Sequence, residues 1–170
     1  MNEKIYEKIA FLSQKLVTLC KENGKKIATA ESCTGGMISA AITSVSGSSS
    51  VIELGICSYS NRIKSEVLGV SDETLANFSE YSESCALEMA SGARKLSGAD
   101  YAVSTTGVAG PTGDSHEHPV GEVFIAVCSE KDTFAKRFLF DGNRGLVRAK
   151  ACETALELLF SVIEKDLNLQ

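Results

Sequence analysis

Only two histidines, His116 and His118, occur in the 170 residues, and none of the six cysteines falls into a C-x-x-C pair. Few histidines means few ready general bases. It also leaves a metal poorly supplied: catalytic zinc usually takes three protein ligands, and neither an H-E-x-x-H motif nor a cysteine cluster completes the set. No metal is expected. The cysteines are scattered over positions 20, 33, 57, 85, 128 and 152, which fits free thiols in a reducing compartment better than a disulfide framework. No uninterrupted apolar stretch reaches the ~18 residues that would suggest a membrane-spanning helix. The N-terminus alternates Lys and Glu with apolar residues where a signal peptide would carry a continuous apolar core. A cytoplasmic protein with no membrane partner is expected. A basic run is missing too. The net charge of -5 comes from scattered carboxylates, so no nucleic-acid partner is expected, although a local phosphate pocket is compatible with it.

What is present describes a globular chain. Hydrophobic residues make up 44% and charged residues 23%, the balance of a chain that can bury a core. No linker interrupts it, and one domain over 1–170 is expected. Ile5, Ile9, Leu12, Leu16 and Leu19 step by three and four, predicting a first helix that ends near Asn23-Gly24. Lys26 to Ala30 reads as a strand, Gly35 to Thr43 as a helix and Val51 to Ser58 as a buried strand. Ser71-Asp72-Glu73 and Ser82-Glu83 open helices, the second running through Ala86, Met89, Ala93 and Leu96 to Gly98. Tyr101 to Ser104 is a short strand, and Val120 to Cys128 with Thr133 to Phe140 form an antiparallel hairpin. A closing helix from about Arg144 buries Val147, Ala151, Ala155, Leu158 and Val162. Strands interleaved with helices predict an α/β protein, a three-layer α/β/α domain whose hairpin makes the sheet mixed.

Two small-residue segments follow predicted strands and would leave the same sheet edge, where they build a crevice. Ala30-Glu31-Ser32-Cys33-Thr34-Gly35-Gly36 brings hydroxyls, a thiol and two glycines to a strand-to-helix turn. A nucleophile placed there is exposed, and the helix N-terminus offers N–H groups to a developing oxyanion. Ser, Thr and Gly are also ordinary cap and turn residues. The second segment is Thr105-Thr106-Gly107-Val108-Ala109-Gly110-Pro111-Thr112-Gly113, and between the two lies Tyr59-Ser60-Asn61-Arg62-Ile63-Lys64. A serine needs a partner to take its proton. His116 and His118 sit in a polar stretch and read as exposed loop residues, so Lys64 is the stronger base: burial at the sheet edge would pull it below its usual value of about 10.4. Cys33 is a rival nucleophile whose thiolate a helix N-terminus would favour. Adjacent side chains diverge, so Ser32 and Cys33 cannot both face the crevice, and these patterns alone do not choose between them.

Together with Gly69-Val70, Gly98-Ala99-Asp100-Tyr101, Pro119-Val120-Gly121 and the Arg144 to Arg148 segment, these motifs resemble the CinA C-terminal domain family, in its order and spacing from roughly Leu16 to Val162. Longer members carry a further N-terminal domain similar to molybdopterin-binding proteins, and a free-standing form is expected here. The resemblance implies a sheet of about five strands. It implies an amidohydrolase that converts nicotinamide mononucleotide and water into nicotinic acid mononucleotide and ammonia, without cofactor. Residue by residue it implies Ser32 as nucleophile, Lys64 as proton acceptor and donor, and Tyr59 as a polar neighbour. Thr34, Gly35, Gly36, Thr106, Gly107, Ala109 and Gly110 would line the bound pyridine nucleotide, their N–H groups around 34–36 or 107–109 holding the oxyanion. Arg144 and Arg148 would meet its phosphate. A homodimer or larger homo-oligomer is also implied. One departure stands out: the loop between Gly113 and Pro119 reads Asp-Ser-His-Glu-His where a Gly- or Thr-rich stretch ending in Pro-Glu-Lys would be expected. The alternatives are a non-catalytic pyridine-nucleotide sensor and a Cys33-centred hydrolase.

Overall fold

The computed structural model describes residues 2–113 and 118–167; His116 lies outside them. In chain order the elements are α1 (Asn2–Glu22), β1 (Ile27–Glu31), α2 (Met37–Thr43), β2 (Ile52–Cys57), α3 (Asn61–Leu68), α4 (Asp72–Phe78), α5 (Glu83–Ser97), β3 (Tyr101–Gly107), β4 (Glu122–Cys128), β5 (Thr133–Leu139) and α6 (Arg144–Asp166). The five strands form one sheet in the order β2-β1-β3-β4-β5. β1 runs parallel to β2 and β3, and β4 runs antiparallel to β3 and β5, which is the mixed sheet predicted. No helix among the described residues is long and apolar enough to cross a membrane.

Alternation along the central strands divides the core in two. Ile27, Tyr101, Val103, Val123, Ile125 and Val127 share a cluster with Leu16, Ile38, Leu156 and Leu159, so large side chains fill the side covered by α1, α2 and α6. The opposite side carries Ala28, Ala30, Ala102 and Ala126 beneath α5. Short side chains there let α5 lie close to the sheet, and its Ala86, Ala90 and Ala93 are themselves fully buried. The approach of α3 to α5 is closer still: a Cβ at Gly92 would lie 1.8 Å from the Leu68 carbonyl oxygen.

Side chains set several element ends. Ser60, Ser71, Ser82 and Asn143 each accept a hydrogen bond from the backbone N–H of the third helical residue of α3, α4, α5 and α6, satisfying a donor that the helix cannot. Elsewhere the boundaries differ from those predicted. α2 starts at Met37 because Gly35 and Gly36 have φ of 60° and 91°, values a right-handed helix cannot contain. β3 runs three residues past Ser104 because Thr105, Thr106 and Gly107 pair with Ile125, Phe124 and Val123 of β4. β4 starts at Glu122, with Val120 in the preceding turn. Leu96 is not core: it is 55% exposed on the outer side of α5. In α6 the buried stripe runs through Ala151, Ala155, Leu159 and Ile163, an unbroken step of four, while Leu158 and Val162 lie one position back, about 100° round the helix, and are only half-buried.

Candidate active site

The carboxyl ends of β1 and β3 lie side by side, yet their chains depart in different directions: β1 crosses to β2 through α2, and β3 turns back into β4. Such a divergence opens a crevice at the sheet edge. Ser32, one residue past β1, is fixed there by main-chain bonding, since its N–H donates to the Thr105 carbonyl over 2.9 Å. Its hydroxyl lies 3.1 Å from Lys64 Nζ, which also donates to the Ser58 carbonyl at 2.9 Å. Lys64 is on α3, whose Ser60 cap starts the helix just after β2 and so turns the lysine inward, where it is 1% exposed. Burial disfavours its ammonium form and pulls its pKa below the usual lysine value; the surrounding Cys85, Glu80 and Cys33 oppose that shift more weakly.

Cys33 also borders the crevice, lining a pocket there. Its side chain belongs to the apolar cluster beneath α6, and burial pushes the thiol up to about 12, so the expected help of the helix N-terminus is outweighed by desolvation.

The turn carrying Ser32 is held from two directions. Glu31, fully buried at the end of β1, accepts hydrogen bonds from Thr34 Oγ1 (2.7 Å), the Ile38 and Ser39 amides (3.0 and 2.8 Å) and Ser39 Oγ (2.7 Å). Its carboxylate thereby caps α2, whose N-cap Gly36 has no side chain to do so. From the opposite side Arg148 donates through Nε to the Cys33 carbonyl at 3.1 Å and through an Nη to the Thr34 carbonyl at 2.7 Å. Thr34 Oγ1 also meets Thr105 Oγ1 at 2.7 Å. Thr34, Gly35 and Arg148 are therefore engaged in fixing the turn, and the Gly35 N–H already donates to the Ser32 carbonyl at 3.1 Å.

Next to Ser32 in the chain, Cys33 opens onto a pocket of about 120 Å³ whose lining also includes Tyr59, Tyr81, Gly107, Ala109, Gly110 and Arg144. Arg144 bridges its rim, donating to the Gly110 carbonyl and to the Tyr59 hydroxyl, both at 2.8 Å. The Thr106 hydroxyl turns away and donates to the Glu80 carbonyl at 2.6 Å. His118 is not an exposed loop residue: its Nδ1 lies 2.7 Å from a carboxylate oxygen of buried Glu122. Glu31, Glu122 and Tyr81 went unassigned in the sequence. Glu31 had a signal, a carboxylate six residues ahead of a helix start that lacks a side-chain cap of its own, whereas nothing local joins Tyr81 to His118, nearly forty positions away.

Fold and site together define an α/β protein with a serine–lysine pair at the carboxyl edge of a mixed sheet. The chain belongs to the CinA C-terminal domain family, whose model matches residues 9–163. It is 47% identical over 141 residues to a CinA-like protein of Endomicrobium trichonymphae, covering 83% of this chain and 33% of that one. To the CinA-like protein of Thermotoga maritima it is 43% identical over 148 residues, 87% of this chain and 36% of the relative. The chain thus spans about a third of the length of these curated relatives. Among solved structures, a competence/damage inducible protein from Agrobacterium tumefaciens superposes with a TM-score of 0.88 at 39% identity, over 91% of this chain and 95% of that one.

Proposed function

We propose that the protein hydrolyses the carboxamide of nicotinamide mononucleotide, giving nicotinic acid mononucleotide and ammonia through a Ser32–Lys64 acyl-enzyme. The observation that carries this reading is the buried Lys64 Nζ at 3.1 Å from Ser32 Oγ. An amine held in that setting loses its proton more readily, and a neutral amine within hydrogen-bond reach of a hydroxyl is a competent base.

Neutral Lys64 takes the Ser32 proton as Oγ bonds to the carboxamide carbon, moving an electron pair onto the carbonyl oxygen. Backbone N–H groups stabilise that oxyanion. Because the Gly35 and Val108 amides already donate to Ser32 and Glu122 carbonyls, the donors assigned are those of Thr34, Gly36 and Ala109. Lys64 then passes its proton to the amide nitrogen, the C–N bond breaks and ammonia departs. Water attacks the ester while Lys64 takes its proton; the C–Oγ bond breaks, Ser32 recovers a proton from Lys64, and the carboxylate leaves. Tyr59, oriented by Arg144, borders the incoming ring, and Arg144 supplies positive charge for the phosphate.

The test is incubation of the purified protein with nicotinamide mononucleotide, following ammonia and nicotinic acid mononucleotide, beside Ser32→Ala, Lys64→Ala and Cys33→Ala. Activity lost in the first two variants and kept in the third is expected. Folded wild-type protein that binds the nucleotide without turning it over would instead make it a pyridine-nucleotide sensor.

A further inference from the structure

We propose that His118 is a positioning residue that holds Tyr81 as a wall of the ligand pocket, and that through Tyr81 it sets a preference for a cationic, quaternary pyridinium ring. This rests on the substrate class proposed above.

The turn between α4 and α5 reaches the pocket only through Tyr81, and it depends on its neighbours for its shape. Ser79 has φ 66° and ψ 169°, a region that residues other than glycine scarcely occupy. Its hydroxyl lies 3.1 Å from His118 Nε2 and accepts the Tyr81 N–H, also at 3.1 Å. His118 is anchored in turn: Nδ1 lies 2.7 Å from Glu122, whose carboxylate also meets the Arg137 guanidinium at 2.5 Å. Glu122 begins β4 and is 2% exposed, so the chain Arg137–Glu122–His118–Ser79 ties the turn to the sheet. The His118 ring also meets the Tyr81 ring edge-to-face, with centroids 5.6 Å apart. His118 thus meets the tyrosine twice, through the Ser79 hydroxyl that accepts its backbone N–H and through its ring.

A tyrosine face attracts a cation through the ring quadrupole, most strongly where water is excluded. The N-alkylated ring of oxidised nicotinamide mononucleotide carries that positive charge; the dihydropyridine of its reduced form does not. Tyr81 therefore favours the oxidised ring, and His118 keeps it in place to do so.

The experiment compares wild type, His118→Ala, His118→Asn, His118→Gln, Tyr81→Ala and the His118→Ala/Tyr81→Ala double variant. Turnover of the mononucleotide is measured, with calorimetric binding of its oxidised and reduced forms to the same variants in a Ser32→Ala background. His118→Ala and Tyr81→Ala are each expected to raise KM about tenfold, with kcat changed far less, the pattern of lost uniform binding. The double variant should be no worse than either single one, because both act through one contact. Gln places a polar group where Nε2 stands and should recover the part of KM owed to the Ser79 contact, the ring contact staying lost; Asn reaches only toward Glu122 and should behave as Ala. Preference for the oxidised form should vanish with the KM effect. Additive effects, an unchanged KM in His118→Ala, or failure of Gln to rescue would overturn the proposal. A second readout does not need turnover. In protein labelled with fluorotyrosine, which has four tyrosines, His118→Ala should move the Tyr81 resonance and leave that of Tyr101 in place. An unmoved Tyr81 resonance defeats the proposal even if the enzyme is active. Wild-type protein that neither binds nor turns over the mononucleotide defeats the substrate reading, and with it the ring preference.

Discussion

Lys64 sets burial directly against charge. At 1% exposed it is among the largest fully buried side chains, and burial drives its pKa below the ordinary lysine value. Two pH dependences follow. In the proposed reaction the neutral amine is the working form, so kcat/KM should rise with pH through a group titrating below about 10.4. Stability moves the same way. Between the lowered folded pKa and the unfolded value of about 10.4, the unfolded chain binds a proton that the folded one does not, so stability increases with pH across that window. Urea titrations at several pH values should show that rise, and Lys64→Met should flatten it while lowering kcat/KM by about 10²–10⁴-fold, the usual worth of a general base. Glu31 invites the opposite substitution. The Ile38 amide donates to one Glu31 oxygen and the Ser39 amide to the other, so Glu31→Gln turns an N–H₂ toward one of these two buried donors and leaves it without an acceptor. A loss of about 1–3 kcal/mol is expected in urea unfolding, the cost of leaving buried donors unpaired.

At the scale of elements, close approach is what the structure cannot give up. Gly92 has an ordinary helical backbone, so Gly92→Ala would normally stabilise α5 through propensity. Here the new methyl would sit 1.8 Å from the Leu68 carbonyl oxygen, and α3, which carries Lys64, would have to shift. Overpacking of this kind costs about 1–3 kcal/mol; a Tm below that of wild type, together with reduced kcat, is the expected result. Elements with a strong local signal were legible from the sequence: the stepped leucines of α1, the serine caps of α4 and α5, and the β4–β5 hairpin. The errors fell where tertiary pairing decides. Thr105 to Gly107 look like loop but gain strand partners from β4, and Leu158 and Leu159 are equally apolar, so only packing reveals which faces the sheet. The site followed the same division. Ser32 and Lys64 could be named from motif positions, but their separation and the burial that tunes the lysine depend on α3 packing against α5. The His118–Glu122 contact needed the sheet edge in place, and the polar sequence around His118 pointed toward solvent.

Across the whole molecule, reactivity is partitioned by the two packed layers. Five of the six cysteines are buried, and Cys57 alone is exposed; burial pushes Cys20, Cys33, Cys85 and Cys152 up to about 12. Titration with a maleimide followed by intact mass should therefore add one label to the native protein and six after denaturation. That single label bears on the site as well, because Cys57 Sγ lies 3.1 Å from where a Cβ on Gly36 would be.

The Ser32 and Lys64 anchors share a property that the pocket wall does not. Ser32 hangs from the Thr105 carbonyl and Lys64 from the Ser58 carbonyl; both are main-chain groups, present whatever residue occupies those positions. The wall at Tyr81 is tied by His118, Ser79 and Glu122 side chains, each removable by one codon change. Sequence drift at those three positions can therefore reshape what the crevice admits, whereas the serine and lysine move only when Glu31, Arg148 or the α3–α5 packing changes.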